Sequence, residues 1–181
     1  MLSAALAANA DHPLHAAEQT VRNSNATWTV LHPNWFAQNF SEGPWRASVQ
    51  QGTLALPAGD GRTAFVDADD IAAVATAALT EDRHHGRTYA LTGPTAITFK
   101  EATAAITATG HKVEYVDLDP DEYTEQQVAN GVPRAGAELL TRILTGIANG
   151  HADTVTDDVR QALGRPARTF AQYVATAQWN T

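Results

Sequence analysis

The chain contains no cysteine among its 181 residues. That absence excludes disulfide scaffolds, thiol nucleophiles and cysteine-ligated zinc. Lysine is nearly as scarce, with Lys100 and Lys112 standing against ten arginines. The 12 basic residues are scattered singly among 20 acidic ones, for a formal charge of −8. Neither a nucleic-acid surface nor a polybasic membrane patch is expected from such a balance. No apolar run approaches the roughly 20 residues that a bilayer-crossing helix needs. The alanine-rich start from Met1 to Ala10 lacks the basic region of a secretory signal, so a cytoplasmic location is expected.

Several sequence signatures of chemistry are also missing. There is no Gly-x-Ser-x-Gly turn for a serine nucleophile and no Gly-x-x-x-x-Gly-Lys phosphate loop. Neither Gly-x-Gly-x-x-Gly nor Gly-x-x-Gly-x-x-Gly occurs, and no His-Glu-x-x-His or other His-x-x-x-His pair offers metal-ligand spacing. Asp67, Asp69 and Asp70 are acidic enough to hold a cation. Placed just before an apolar helix, however, they read as caps, and no metal is expected.

What is present describes a folded α/β globule. Hydrophobic residues make up 44% of the chain, too many for a disordered segment. Asp11-His12-Pro13 reads as a cap and first-turn proline, opening a helix to about Asn23 with Leu14, Ala16, Ala17 and Val21 as its apolar stripe. Thr27 to Leu31 reads as a buried strand ended by Pro33, and residues 34–42 as helical. Pro44 to Gly61 reads as loop-rich with a weak strand near Thr53–Leu56, followed by a short strand over Ala64–Val66. A helix capped by Asp67 to Asp70 should bury Ile71, Val74, Ala75, Ala78 and Leu79. Arg87–Leu91 is a strand, Thr98 and Glu101 form a capping box, and Val113–Asp117 alternates like an edge strand. Residues 120–181 are mostly helical. This β-α-β-α order predicts parallel strands covered by helices on both faces.

The densest group of chemistry-bearing residues follows the first strand. His32, Asn34, Trp35, Phe36, Gln38 and Asn39 lie at a strand's carboxyl end, where open α/β sheets bind ligands. Aromatic rings with a few amides there suit a mostly apolar pocket, though the same aromatics could simply anchor a loop.

The stretch Trp28-Thr29-Val30-Leu31-His32-Pro33-Asn34-Trp35-Phe36-Ala37-Gln38-Asn39 resembles the W-T-I-L-R-P-x-x-F-M-Q-N segment of NmrA-like proteins. These are atypical members of the short-chain dehydrogenase/reductase superfamily, with quinone- and azo-reductase relatives. Further matches follow in order at 56–61, at 65–75, at Gly86-Arg87-Thr88-Tyr89-Ala90-Leu91-Thr92-Gly93-Pro94 and at Gly164-Arg165-Pro166-Ala167-Arg168-Thr169-Phe170. Together they cover essentially the whole chain.

The resemblance implies a partial Rossmann-like parallel sheet with a mostly helical C-terminal, substrate-side region. It divides a single truncated domain into a residual Rossmann-like part, 1–95, and a substrate-side part, 96–181. The chain aligns with the family's C-terminal portion, entering at the strand represented here by Leu2-Ser3-Ala4-Ala5. It lacks the glycine-rich turn that holds a dinucleotide's pyrophosphate. NAD(P)H is the cofactor the family implies, and a partner would have to supply its nucleotide site.

The family's Tyr-x-x-x-Lys pair falls on Asp11 and His15, with Glu18 as the marker three residues on, and His32 stands at a usual arginine position. Asp11, His15 and His32 are therefore the candidate acid–base residues. Asp11 as a simple cap and His15 as a surface residue are the alternatives. Ser3, Asn34, Trp35, Phe36, Gln38 and Asn39 are the candidate ligand contacts. The expected function is an oxidoreductase-related protein binding a small apolar or aromatic metabolite. Two alternatives stand beside it: a cofactor-independent isomerase, cyclase or hydrolase, and a non-catalytic regulatory module. A vacated sheet edge further predicts a homo-oligomer or a covering partner chain.

Overall fold

A computed structural model describes residues 1–4 and 12–179. In chain order the elements are α1 (His15–Arg22), β1 (Thr29–Pro33), α2 (Arg46–Gln50), β2 (Thr53–Leu56), β3 (Arg62–Thr63), α3 (Ala68–Thr80), β4 (Arg87–Leu91), β5 (Ile97–Thr98), α4 (Phe99–Thr107), β6 (Glu114–Asp117), α5 (Pro120–Ala129), α6 (Arg134–Ala148), α7 (Asp158–Leu163) and α8 (Phe170–Val174). They form two compact units interleaved along the chain. The first comprises Met1–Ala37, Ala64–Thr95 and Val155–Phe170; the second comprises Gln38–Thr63, Ala96–Thr154 and Ala171–Thr181.

The first unit is organised around β1, which is buried along its whole length. It pairs in parallel with β4, from Thr29 opposite Arg87 to Pro33 opposite Leu91. On its other side Leu2 bridges to Leu31, also in parallel. Successive strand residues point to opposite faces, and both faces are covered. Leu31 packs in a core cluster with Ile71 and Val74 of α3 and Val159 and Ala162 of α7. His32, on the reverse face, meets Glu18 of α1.

Helix α3 starts as the sequence predicts, with Asp67 accepting a hydrogen bond from the Asp69 amide. A second layer of contacts holds that start. Arg165 Nη1 donates to Asp70 Oδ1 at 2.7 Å and the Arg168 amide donates to Asp70 Oδ2 at 2.6 Å. The Arg168 guanidinium pairs with both Asp67 and Asp69, at 2.9 and 2.6 Å. The three aspartates thus form an ion-paired clasp with the loop after α7. Gly93, just after β4, lies where a Cβ would come 2.2 Å from the Phe65 carbonyl oxygen.

The second unit contains the parallel pair β2–β6 and the antiparallel pair β3–β5. Its core is aromatic. Trp45 stands edge-on to Phe40 and to Phe99, with centroids 5.0 Å apart in each case, and Phe99 stacks on Tyr115. The expected Thr98–Glu101 capping box is complete at the start of α4. Helices α5 and α6 pack through a buried Thr124–Thr141 hydroxyl pair at 2.7 Å.

Four expectations about elements are corrected. Residues 34–42 are not a helix, and only a 3-10 turn forms at Ala37–Asn39. Phe36 stays extended because it bridges to Val66, and the Gln38 carbonyl then collects the amides of Ser41, Glu42 and Gly43 in a tight turn. The stretch 44–61 holds the strand expected at Thr53–Leu56, β2, and in addition a helix, α2, where a loop was expected. Helix α1 begins only at His15, and its expected stripe is not its buried face: Leu14, Ala16 and Ala17 are exposed, and Glu18 is buried instead. On α3 the inward positions are Ile71, Val74 and Ala77, whereas Leu79 is 87% exposed.

Candidate functional site

Glu18 and His32 are the polar residues that the first unit buries between α1 and β1, only 2% and 8% exposed. Their side chains meet at 2.7 Å, His32 Nε2 to Glu18 Oε1. The Ser3 hydroxyl donates to the same carboxylate oxygen at 2.5 Å. Arg22, one helical turn beyond Glu18, reaches Oε2 at 3.4 Å and donates to the Thr88 hydroxyl at 2.9 Å. Its guanidinium lies over the Trp28 ring, 4.8 Å from the centroid. Burial pushes the Glu18 carboxyl up. The hydrogen bonds from Ser3 and His32, the His32 charge and the Arg22 contact outweigh that, and the net shift is below the ordinary carboxylate range. Glu18 therefore ties α1 to Ser3 and to β1 while remaining ionised, and Arg22 extends the link to Thr88 of β4.

The candidate residues are distributed as follows. Ser3 and His32 belong to this cluster. His15 shares the α1 face with Glu18 and Arg22, at helical spacing, and is half-buried. Asp11 lies outside the described residues, so its pairing with His15 stays an expectation. The Asn34 side chain turns back to accept from the Trp35 amide at 2.9 Å. Trp35 and Ala37 exchange backbone hydrogen bonds with Val66 on either side of Phe36. Gln38 and Asn39 open the second unit, where their carbonyls accept turn amides and the Trp45 amide respectively. Sequence reasoning used Glu18 only as a marker and missed it and Arg22 as partners. The i, i+4 acid–base spacing on α1, facing a histidine on the following strand, was the available signal.

Each unit also carries a groove, and neither of the two is lined by Glu18 or His32. In the first unit a half-open groove of about 820 Å³ runs past Leu2, Trp28, Phe36, Ala72, Ala75 and Leu79. In the second, a shallower groove of about 730 Å³ carries Lys100 and Lys112 among Asp60, Glu114 and Asp117. The Tyr115 hydroxyl there is held well above its ordinary range, by burial first and by Asp117 next.

A dinucleotide's pyrophosphate is received at a helix start. Such a group needs free backbone amides at a glycine-bearing helix N-terminus. Helix α3 begins on three paired aspartates, α4 on its own capping box and α5 on Asp119, whereas α1 and α6 begin without a side-chain cap and Gly136 lies in the first turn of α6. The described residues include neither glycine-rich dinucleotide motif. They also contain no cluster of three or more metal-ligating side chains, and no helix among them is long and apolar enough to cross a membrane.

An uncharacterised oxidoreductase, YesF of Bacillus subtilis, is 35% identical over 158 residues, covering 85% of this chain and 55% of that protein. The NAD(P)H azoreductase of Xenophilus azovorans is 34% identical over 157 residues, 86% of this chain and 54% of its own. The triphenylmethane reductase of Citrobacter sp., solved with NADP(H), superposes with a TM-score of 0.79 at 27% identity, over 98% of this chain and 64% of that one. This chain belongs to the NmrA-like family. No family model matches it. It spans about half the length of the curated NmrA-like relatives it matches. The resemblance read from Trp28–Asn39 and the later segments thus holds across the chain, and so does the Rossmann-like α/β fold class.

Proposed function

We propose that this chain is the ligand-side portion of an NmrA-like reductase, taking a small apolar or aromatic metabolite in the cytoplasm. The observation that carries the reading is His32: an imidazole backed by a buried carboxylate, near the carboxyl end of a parallel strand. Asn34, Trp35 and Phe36 follow it directly and supply the aromatic and amide character that such a ligand requires. His32 handles protons, and Ser3 supports it through Glu18. NAD(P)H is the reductant in this reading, held by polypeptide that carries a glycine-rich turn, because neither glycine-rich dinucleotide motif occurs in this sequence.

The exposed outer side of Met1–Ser3 and the apolar groove beside it are surfaces for a second copy of the chain or for such a partner.

A cofactor-independent acid–base enzyme is the second reading, favoured by the same Glu18–His32 pair and by the lack of both glycine-rich motifs in the sequence. Titrating the chain with NADPH and with 1,4-naphthoquinone, followed by calorimetry and tryptophan fluorescence, separates these readings. The proposal expects naphthoquinone binding that His32→Ala weakens, with NADPH binding absent or weak for the chain alone. No naphthoquinone binding, together with silent His32→Ala and His15→Ala variants, points instead to a non-catalytic regulatory module.

A further inference from the structure

We propose that Glu18 is a positioning residue, which fixes the proton of His32 on Nε2 and leaves Nδ1 as the atom that exchanges protons with a bound ligand. The inference rests on the reading of His32 as the proton-handling group and adds the device that prepares it.

An ionised carboxylate only accepts hydrogen bonds. Because Glu18 is held ionised, the 2.7 Å contact requires Nε2 to be the donor. In the neutral imidazole the lone pair then resides on Nδ1. No described residue hydrogen-bonds that nitrogen: His32 Nε2 to Glu18 is the ring's contact. The other fully buried histidine, His84, differs in kind. Its Nδ1 is bonded to the Tyr89 hydroxyl at 2.8 Å, and its Nε2, sealed from solvent, lies 3.7 Å from Glu81 Oε2, so both of its nitrogens face a partner. His32 thus combines an anchored nitrogen with an open one, the arrangement by which a carboxylate orients an acid–base histidine.

Ser3 does not complete a nucleophilic relay. Its hydroxyl proton is directed at Glu18 Oε1, and His32 Nε2 is already committed to that same oxygen. Its role is to stabilise the carboxylate, alongside Arg22 at Oε2. When Nδ1 carries a proton, the imidazolium faces the ionised Glu18. Transfer breaks the Nδ1–H bond and forms an O–H bond on a ligand oxygen. The ring returns to neutral, and water restores its proton. The ligand class that fits is a small carbonyl or quinone compound with an oxygen able to reach Nδ1.

The test is nitrogen-15 NMR of the full chain labelled at histidine, in wild type and in Glu18→Gln, Glu18→Asp and His32→Ala. The assignment comes from the signal that His32→Ala removes. Wild type should show the proton on Nε2. Glu18→Gln should produce a mixture of tautomers and weaken naphthoquinone binding about tenfold, and Glu18→Asp should restore both. A wild-type proton on Nδ1 overturns the inference without any variant. So does a tautomer that Glu18→Gln leaves unmoved, or a Glu18→Gln chain that binds the quinone as wild type does. If instead Glu18→Gln scrambles the tautomer while His32→Ala leaves quinone binding intact, the orienting effect stands and the proton-handling reading fails.

Discussion

A buried carboxylate stabilises a fold only while its partners keep it charged. Glu18 has Ser3, His32 and Arg22 to do so, and its pKa is lowered on folding. The unfolded chain therefore takes up that proton more readily than the folded one. The stability Glu18 contributes is complete above its ordinary pKa, about 4.3, and is lost as pH falls from there through the lowered folded value. Thermal melts taken from pH 7 down to pH 3 should show a steeper acid loss in wild type than in Glu18→Gln. The variant should also melt lower at pH 7, because Ser3 and His32 then face an uncharged amide. Equal acid slopes in the two proteins would remove Glu18 from this role. The sequence made His32 conspicuous but not its partner. An isolated glutamate on a short helix reads as a solvated charge until the following strand folds back beneath it.

Elements whose signals are local were legible in advance. The Asp67 cap and the Thr98–Glu101 box each depend on neighbours within a few residues. Elements decided by distant partners were not. Whether 34–42 coils into a helix depends on Val66 pulling Phe36 into an extended bridge. The clasp at the start of α3 joins residues 95 and 98 positions apart, beyond any pattern window. Asp70→Ala leaves Arg165 and the Arg168 amide without their buried acceptor, and should cost about 3 kcal/mol in urea unfolding. Arg165→Ala should cost less, since the Arg168 amide still satisfies Asp70 and half of the Arg165 surface is already in water. Gly93→Ala forces a Cβ into the Phe65 carbonyl and should cost about 3 kcal/mol as well. A Gly93→Ala protein that melts like wild type would show that β4 can shift to make room.

For the molecule as a whole, composition correctly indicated a folded α/β chain, and ordered short motifs indicated its family. Composition could not reveal which apolar surface is left open: Leu79 reads as core from its spacing yet is exposed, as is Leu2 on the same groove. If a second copy covers the groove they border, light scattering should report a mass at least twice 19.3 kDa at micromolar concentration. Leu79→Glu should return it to the monomer without loss of helix content. A monodisperse monomer in the unaltered protein would eliminate self-association, leaving a different partner for that surface.

Lys100 and Lys112 line one groove of the second unit and are the chain's full complement of lysines. Amine-directed coupling to a dye, a cross-linker or a sensor chip is therefore confined to that groove and the terminal α-amino group. A protein immobilised this way through its lysines keeps Glu18 and His32 chemically untouched. The naphthoquinone binding proposed for His32 can then be tested on a surface without first engineering an attachment site.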